Sequence, residues 1–189
     1  MLTGILISGH VASQNYFEDT WYGYKSGEYD QGRFPFSADM ADVNNDGHKD
    51  MIIGQFPLDA GFKVMLANGD GSFGLPVHYN TIHGIETLEA ADLNDDGYVD
   101  IVLCNSGSFN GFSNSVQTYD WGNSVSVFLN NGDGTFTDHQ EILTALHPEG
   151  LTTIDFDSDG DADVAVAHFG RPSIPGNTVM ILENDGDGN

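Results

Sequence analysis

Asp92-Leu93-Asn94-Asp95-Asp96-Gly97-Tyr98-Val99-Asp100-Ile101-Val102-Leu103 joins two patterns end to end: side-chain oxygens at alternate positions before one glycine, then an unbroken apolar run. The arrangement recurs at Asp42-Val43-Asn44-Asn45-Asp46-Gly47-His48-Lys49-Asp50, before Met51-Ile52-Ile53. It recurs again at Asp155-Phe156-Asp157-Ser158-Asp159-Gly160-Asp161-Ala162-Asp163, before Val164-Ala165-Val166. A second motif trails each copy: Asn68-Gly69-Asp70-Gly71-Ser72-Phe73, Asn131-Gly132-Asp133-Gly134-Thr135-Phe136, and a frayed Asn184-Asp185-Gly186-Asp187-Gly188. Self-similarity at such intervals marks a repeat architecture.

Spacing gives the unit its anatomy. Nineteen residues separate Phe73 from Asp92, and nineteen separate Phe136 from Asp155. From first motif to second the interval varies: 26, 39 and 29 residues. A fixed strand pair beside an adjustable loop gives that pattern. We read four strands per unit. The first (Phe36–Val43, Glu86–Leu93) runs into the acidic loop, and the second is the apolar run, whose continuity predicts burial on both faces. The third is Lys63–Ala67, Ser124–Asn130 or Thr178–Glu183. The Asn-Gly-Asp-Gly stretch is a hairpin turn, since Asn and Gly tolerate positive φ. Phe73 and Phe136 then open the outer strand. The chain is expected to be all-β, because no segment carries a capped 3.6-residue period of useful length.

The acidic loops fit calcium. A hard cation takes six to eight oxygen ligands, many of them carboxylate. Positions 1, 3, 5 and 9 offer side-chain oxygens, position 7 a backbone carbonyl, and the glycine at position 6 lets the chain curl without a Cβ clash. The expected ligands are Asp42, Asn44, Asp46, the His48 carbonyl and Asp50; then Asp92, Asn94, Asp96, the Tyr98 carbonyl and Asp100; then Asp155, Asp157, Asp159, the Asp161 carbonyl and Asp163. That makes three Ca²⁺ sites, of which the third, with four side-chain carboxylates, is expected to bind tightest. An EF-hand would need a bidentate Glu at position 12 between helices. Position 12 is Ile53, Leu103 and Val166, so that reading fails.

These residues resemble the FG-GAP/VCBS-type repeat, the blade unit of integrin-α-like β-propellers, over about residues 36 to 189. The resemblance implies blades of four antiparallel strands with calcium between the first and second strands. Residues 1–35 would supply outer strands of a preceding blade. Blades at 36–85, at 86–148 with a long insert 105–123, and a truncated one at 149–189 would follow. Three blades and a part do not close a ring of four to eight, so a fragment of a larger propeller is expected, with the remaining blades as its partners. The resemblance also implies a secreted or cell-surface protein, although Met1–Ser8 lacks the basic start of a signal peptide.

Composition limits the partners. There are 29 acidic residues against 5 basic ones, a formal net charge of −24. That field repels phosphate backbones and anionic membranes, so no nucleic acid and no membrane insertion are expected. Twelve of the acidic residues fall in the three loops. A single cysteine, Cys104, cannot form an internal disulfide and is expected to be a buried, inert thiol. The seven histidines show no ligand spacing for zinc, and no nucleophile signature occurs.

The insert is an extended loop by this reading. It carries Phe109, Phe112, Tyr119 and Trp121 among small polar residues, and aromatics so placed can stack on sugars or anchor a protein. Two function classes follow. One is a calcium-stabilised binding or adhesion module for a glycan or protein ligand. The other is a calcium-dependent polysaccharide-active enzyme of lyase type, as in some enzymes this fold resembles. A lyase on acidic sugars wants cations near the ion, and Lys25, Arg33, Lys49, Lys63 and Arg171 are widely spread. Binding is the favoured reading.

Overall fold

A computed structural model describes residues 6–7, 10–11, 35–56, 60–113, 116–137, 140–171 and 173–186, with residues 6–7, 10–11, 110–113 and 116–118 described as backbone only. The chain divides into Met1–Gln31 and Gly32–Asn189. In the first unit, β1 (Leu6–Ile7) pairs antiparallel with β2 (His10–Val11). The expected outer strands in 1–35 otherwise lie outside the described residues.

The second unit holds three antiparallel meanders. The first is β3 (Pro35–Ala41), β4 (Asp50–Gln55), β5 (Gly61–Met65) and β6 (Val77–Asn80), paired in that order. The second is β7 (Gly84–Ala91), β8 (Asp100–Ser113), β9 (Val116–Phe128) and β10 (Gln140–Leu143). The third has three strands: β11 (Pro148–Ile154), β12 (Asp163–Arg171) and β13 (Ile174–Leu182). Each acidic loop joins the first two strands of its sheet, as the repeat predicts. No described helix is long and apolar enough to cross a membrane.

Period-2 alternation makes the middle sheet the centre of the packing. Ile101, Val102, Leu103 and Cys104 on β8 are all fully buried. Ile101 and Leu103 join Val43, Ile52, Phe62 and Val64 of the first sheet. Val102 and Cys104 turn the other way, to Leu151, Val164 and Val166 of the third. The strand is thus apolar on both sides because it has a neighbour on both sides. Burial pushes the Cys104 thiol pKa up to about 12, so it stays protonated and inert.

The inner strands β3, β7 and β11 are strapped together by side chains. Asp39 accepts from the Ala90 N–H at 3.0 Å, and Glu89 accepts from the Thr153 N–H at 2.8 Å. Asp39 and Glu89 both stand three residues before their loops, so one device serves both junctions.

Three expectations need correction. Phe73 and Phe136 do not open the outer strands. Each makes an isolated bridge, to Ala67 and Asn130, and the outer strand starts at Val77 or Gln140. The turn closes first because Asn68 N–H donates to Ser72 O and Asn131 N–H to Thr135 O, at 2.9 and 2.8 Å. The 105–123 insert is not a loop: β8 and β9 stay paired out to Ser113 and Val116, with Phe109 opposite Tyr119. Cross-strand pairing satisfies backbone groups that a loop would leave to water. Finally, the third copy of the turn motif is read one residue out of register. Asn184 aligns with Asn130 rather than Asn131: the backbone N–H of each donates to the last aspartate of its loop, Asp163 or Asp100, at 2.8 Å.

Candidate metal centres and an aromatic ladder

Each acidic loop curls around its own carboxylates. In the first, Gly47 N–H donates to Asp42 at 2.8 Å, Asp46 N–H to Asn44 at 3.2 Å and His48 N–H to Asp46 at 2.8 Å. The second repeats this with Gly97 to Asp92 at 2.9 Å, Asp96 to Asn94 at 3.3 Å and Tyr98 to Asp96 at 2.8 Å. In the third, Ser158 donates to Asp155, Asp159 to Asp157 and Asp161 to Asp159, at 2.7, 3.1 and 3.0 Å. The curl also needs a left-handed residue at position 4, which sequence reading did not single out. Asn45 and Asp95 have φ 55° and Ser158 φ 69°. Short polar side chains tolerate that region, and that preference was the available signal.

Positions 1, 3 and 5 converge in the third loop. One carboxylate oxygen from each of Asp155, Asp157 and Asp159 lies within 4.8 Å of the others, and all three residues are exposed. In the first two loops Asn replaces the middle carboxylate and donates its amide to the next aspartate, Asn44 to Asp46 at 3.0 Å and Asn94 to Asp96 at 3.1 Å. Asp92 Oδ1 is buried there without a hydrogen-bond partner. Such an atom is costly unless something electropositive meets it.

Position 9 behaves differently. Asp50, Asp100 and Asp163 are buried, at 0–1% exposure. Each spans its loop with both oxygens. One accepts from position 2 (Val43, Leu93 or Phe156) at 2.8–3.0 Å, and the other from the end of the third strand (Ala67, Asn130 or Asn184) at 2.8 Å. A carboxylate has about four acceptor sites, so a second lone pair on each oxygen stays available to a cation. Burial between sheets pushes Asp100 up to about 6. Asp163, on the last sheet, is held below the usual range by its Asn184 and Phe156 N–H donors.

Position 7 also has a repeated packing role. A Cβ on Gly69 would lie 2.6 Å from His48 Nε2, one on Gly132 2.8 Å from Tyr98, and one on Gly186 2.8 Å from Asp161 Oδ2. The position-7 side chain therefore lies over the turn glycine, leaving its carbonyl to the loop. Hydrogen bonds from the His48 N–H and then the Asn44 amide lower the Asp46 pKa. Partial burial, then the Asp159 and Asp95 charges, raise that of Asp161.

At the opposite end of the second and third sheets, rings form a ladder. Centroid distances run Phe109–Tyr119 5.8 Å, Tyr119–Trp121 5.2 Å, Trp121–His147 4.6 Å and His147–Phe169 5.6 Å. Phe112 sits on the same ribbon, opposite Gln117 in register. His147 is buried at φ 56°, its Nδ1 3.0 Å from Gly170 O and its Nε2 3.6 Å from Glu86 Oε2. Burial alone would lower its pKa, but Glu86 outweighs that and raises it. Phe169 is exposed at the ladder's end. The sequence reading missed His147 and Phe169, because they lie outside the insert and only the fold brings them to it.

Meandering antiparallel sheets packed face to face, with an acidic loop between the first two strands of each, define a repeat of propeller-blade type. The FG-GAP-like repeat profile matches residues 42–103 and 115–166, and the chain belongs to this family. The unmatched interval between the two segments covers the outgoing half of the ribbon. No curated protein matches the chain. A matching solved structure is that of an Agrocybe aegerita lectin, described for specific recognition of non-reducing terminal N-acetylglucosamine. It is 21% identical with a TM-score of 0.30 over 78% of this chain, which spans 52% of the length of that one.

Proposed function

We propose that this chain is a calcium-stabilised binding module of a secreted or cell-surface protein, engaging a glycan or protein ligand. The observation that carries the ion is the convergence of Asp155, Asp157 and Asp159 in a loop whose pattern recurs twice. The donor set is all oxygen, which suits calcium over softer metals. In the first loop Asp42, Asn44, Asp46, Asp50 and the His48 carbonyl would hold it. In the second the holders would be Asp92, Asn94, Asp96, Asp100 and the Tyr98 carbonyl. In the third they would be Asp155, Asp157, Asp159, Asp163 and the Asp161 carbonyl. Bound calcium supplies positive charge that offsets the mutual repulsion of these carboxylates. The protein's own part is to hold them in place: the position-9 aspartate ties each loop to the third strand of its sheet, so a filled loop stiffens the whole sheet.

Support for the ligand surface comes from the ladder. Half-buried Phe109, Tyr119 and Trp121 present rigid ring area at low entropic cost. A net charge of −24 favours neutral or cationic ligands over acidic ones. Calorimetric titration of the chelator-stripped chain with Ca²⁺ tests the ion: three equivalents are expected, and two in Asp157→Ala. At a hundredfold excess over Kd each site adds about 2.7 kcal/mol, so EDTA lowers the melting temperature. An identical melting curve with and without EDTA would sink the calcium reading. A glycan array probed with the wild type and Trp121→Ala tests the ladder separately.

A further inference from the structure

His147 joins the second sheet to the third at the aromatic ladder, through its backbone and its ring alike. Its N–H donates to Gly122 O on β9 at 2.7 Å, and its carbonyl accepts from the Phe169 N–H on β12 at 3.0 Å. The ring reaches two further strands: Nδ1 lies 3.0 Å from Gly170 O on β12, and Nε2 lies 3.6 Å from Glu86 Oε2 on β7. Together these contacts hold the residue at φ 56°, a region that non-glycine residues seldom occupy. Trp121 packs on the imidazole, with the ring centroids 4.6 Å apart.

The surroundings of the ring dictate where its protons must sit. A carbonyl oxygen only accepts, so Gly170 O calls for a proton on Nδ1. A neutral imidazole would then turn the bare lone pair of Nε2 toward a carboxylate. Glu86 Oε2 and His147 Nε2 are both buried, and neither has a hydrogen-bond partner. With Glu86 ionised, only the imidazolium meets both acceptors. The two side chains are 6% and 11% exposed, so salt and solvent screen the pair little. Other groups leave this balance in place. Glu149 on β11 adds negative charge. Cys104 on β8, which faces Glu86, stays protonated. On β12, burial lowers the pKa of His168, which is therefore neutral near pH 7, and Arg171 follows Gly170. From β9 come Trp121 and the exposed Asp120.

We propose that His147 and Glu86 form a proton-operated latch, whose imidazolium ties the β8–β9 ribbon and its rings to the third sheet and whose deprotonation loosens them. The protonated ring also favours the face of Trp121, whose π system attracts a cation. Burial alone lowers the pKa of His147, but Glu86, Gly170 O and Glu149 together raise it by more. A histidine whose pKa folding raises contributes fully below its unfolded value of about 6.5. That contribution is lost as pH climbs through the higher folded value. The latch is thus closed in mild acid and opens on the alkaline side. For a ligand held on the rings, affinity falls over the same interval. That consequence rests on the ladder being the binding surface; the latch itself does not.

Trp121 reports on the latch once Trp21, the other tryptophan of the chain, is replaced in Trp21→Phe. Acrylamide quenching of the ligand-free chain is followed between about pH 5 and about pH 9 at constant calcium. Quenching is expected to be weak in acid and to strengthen with a midpoint above about 6.5. Amide exchange at Phe109, Tyr119 and Trp121, corrected for its intrinsic pH dependence and set against Leu103, gives the size of the effect. The opened fraction should grow about tenfold for each unit by which the midpoint exceeds about 6.5. Glu86→Gln should move the midpoint down, since burial then outweighs what remains. His147→Asn tolerates the positive φ and keeps an amide donor for Gly170 O, so it should remove the transition without unfolding the chain. A flat quenching curve, a midpoint unmoved by Glu86→Gln, or a transition surviving His147→Asn would each overturn the latch. So would a titration of the fluorescence with no change in ribbon exchange, because the histidine would then hold nothing shut. With no ligand present, these outcomes are separate from that of the glycan array.

Discussion

The junction between the first and second sheets and that between the second and third share a frame but differ in filling. Both have an asparagine clasp, the amide of Asn130 on Val43 O or of Asn184 on Leu93 O, and a carboxylate strap between inner strands. The first is filled with rings. Phe62 is stacked on Tyr79 at 4.9 Å and meets Phe128 and Phe136 edge-on at 4.9 and 5.9 Å. The second is aliphatic, built on Val125, Val127, Val164 and Val166, and a cleft of about 30 Å³ remains beside Val127, Ala162 and Leu182. Hydrogen bonds are thus the constant of the repeat, fixed because backbone groups must be met in every copy. Side-chain filling is free to vary so long as volume is filled.

The largest expected effect breaks the ring-filled junction. Phe62→Ala should cost about 3–5 kcal/mol by cavity formation, read as a lower midpoint in urea than that of the wild type. A loss below about 1 kcal/mol would mean the rings are not the junction's core. Next, Asn130→Ala leaves Val43 O and Val99 O buried without their donor and should cost about 1–3 kcal/mol. Its measure is faster amide exchange in both β4 and β8, since the clasp links two loops. Exchange altered in β8 alone would show that the bond to Val43 carries no weight. Last, Ala162→Val copies Val99, which holds the same loop position and packs against the first junction. Filling the cleft should add about 0.5–1 kcal/mol. A fall in melting temperature would mean the cleft is too narrow for the extra methyls.

Much of this was legible in the residues. Three loops with oxygen at alternate positions, the apolar run after each and the Asn-Gly-Asp-Gly turns located the first three strands of every sheet, because those signals are local. In the third loop one carboxylate oxygen from each of Asp155, Asp157 and Asp159 comes within 4.8 Å of the others, a closeness that alternate spacing in a curled loop makes possible. What escaped was nonlocal. Asn130 was passed over for Asn131, since only its reach to Val43, 87 residues away, distinguishes them. His147 and Phe169 were passed over because no sequence interval ties them to Trp121. The insert read as a loop because small polar residues signal turns, while pairing between β8 and β9 overrode that local preference.

The sequence by itself determined the repeat, the curl of each loop and the oxygen chemistry of its donors, since each depends on residues close together in the chain. Only the tertiary structure decided which face of β8 meets which neighbour, which asparagine clasps the adjoining loop, and that the aromatic ladder ends on His147 and Phe169. Those outcomes follow from sheets stacking face to face, which brings together residues that no local interval relates.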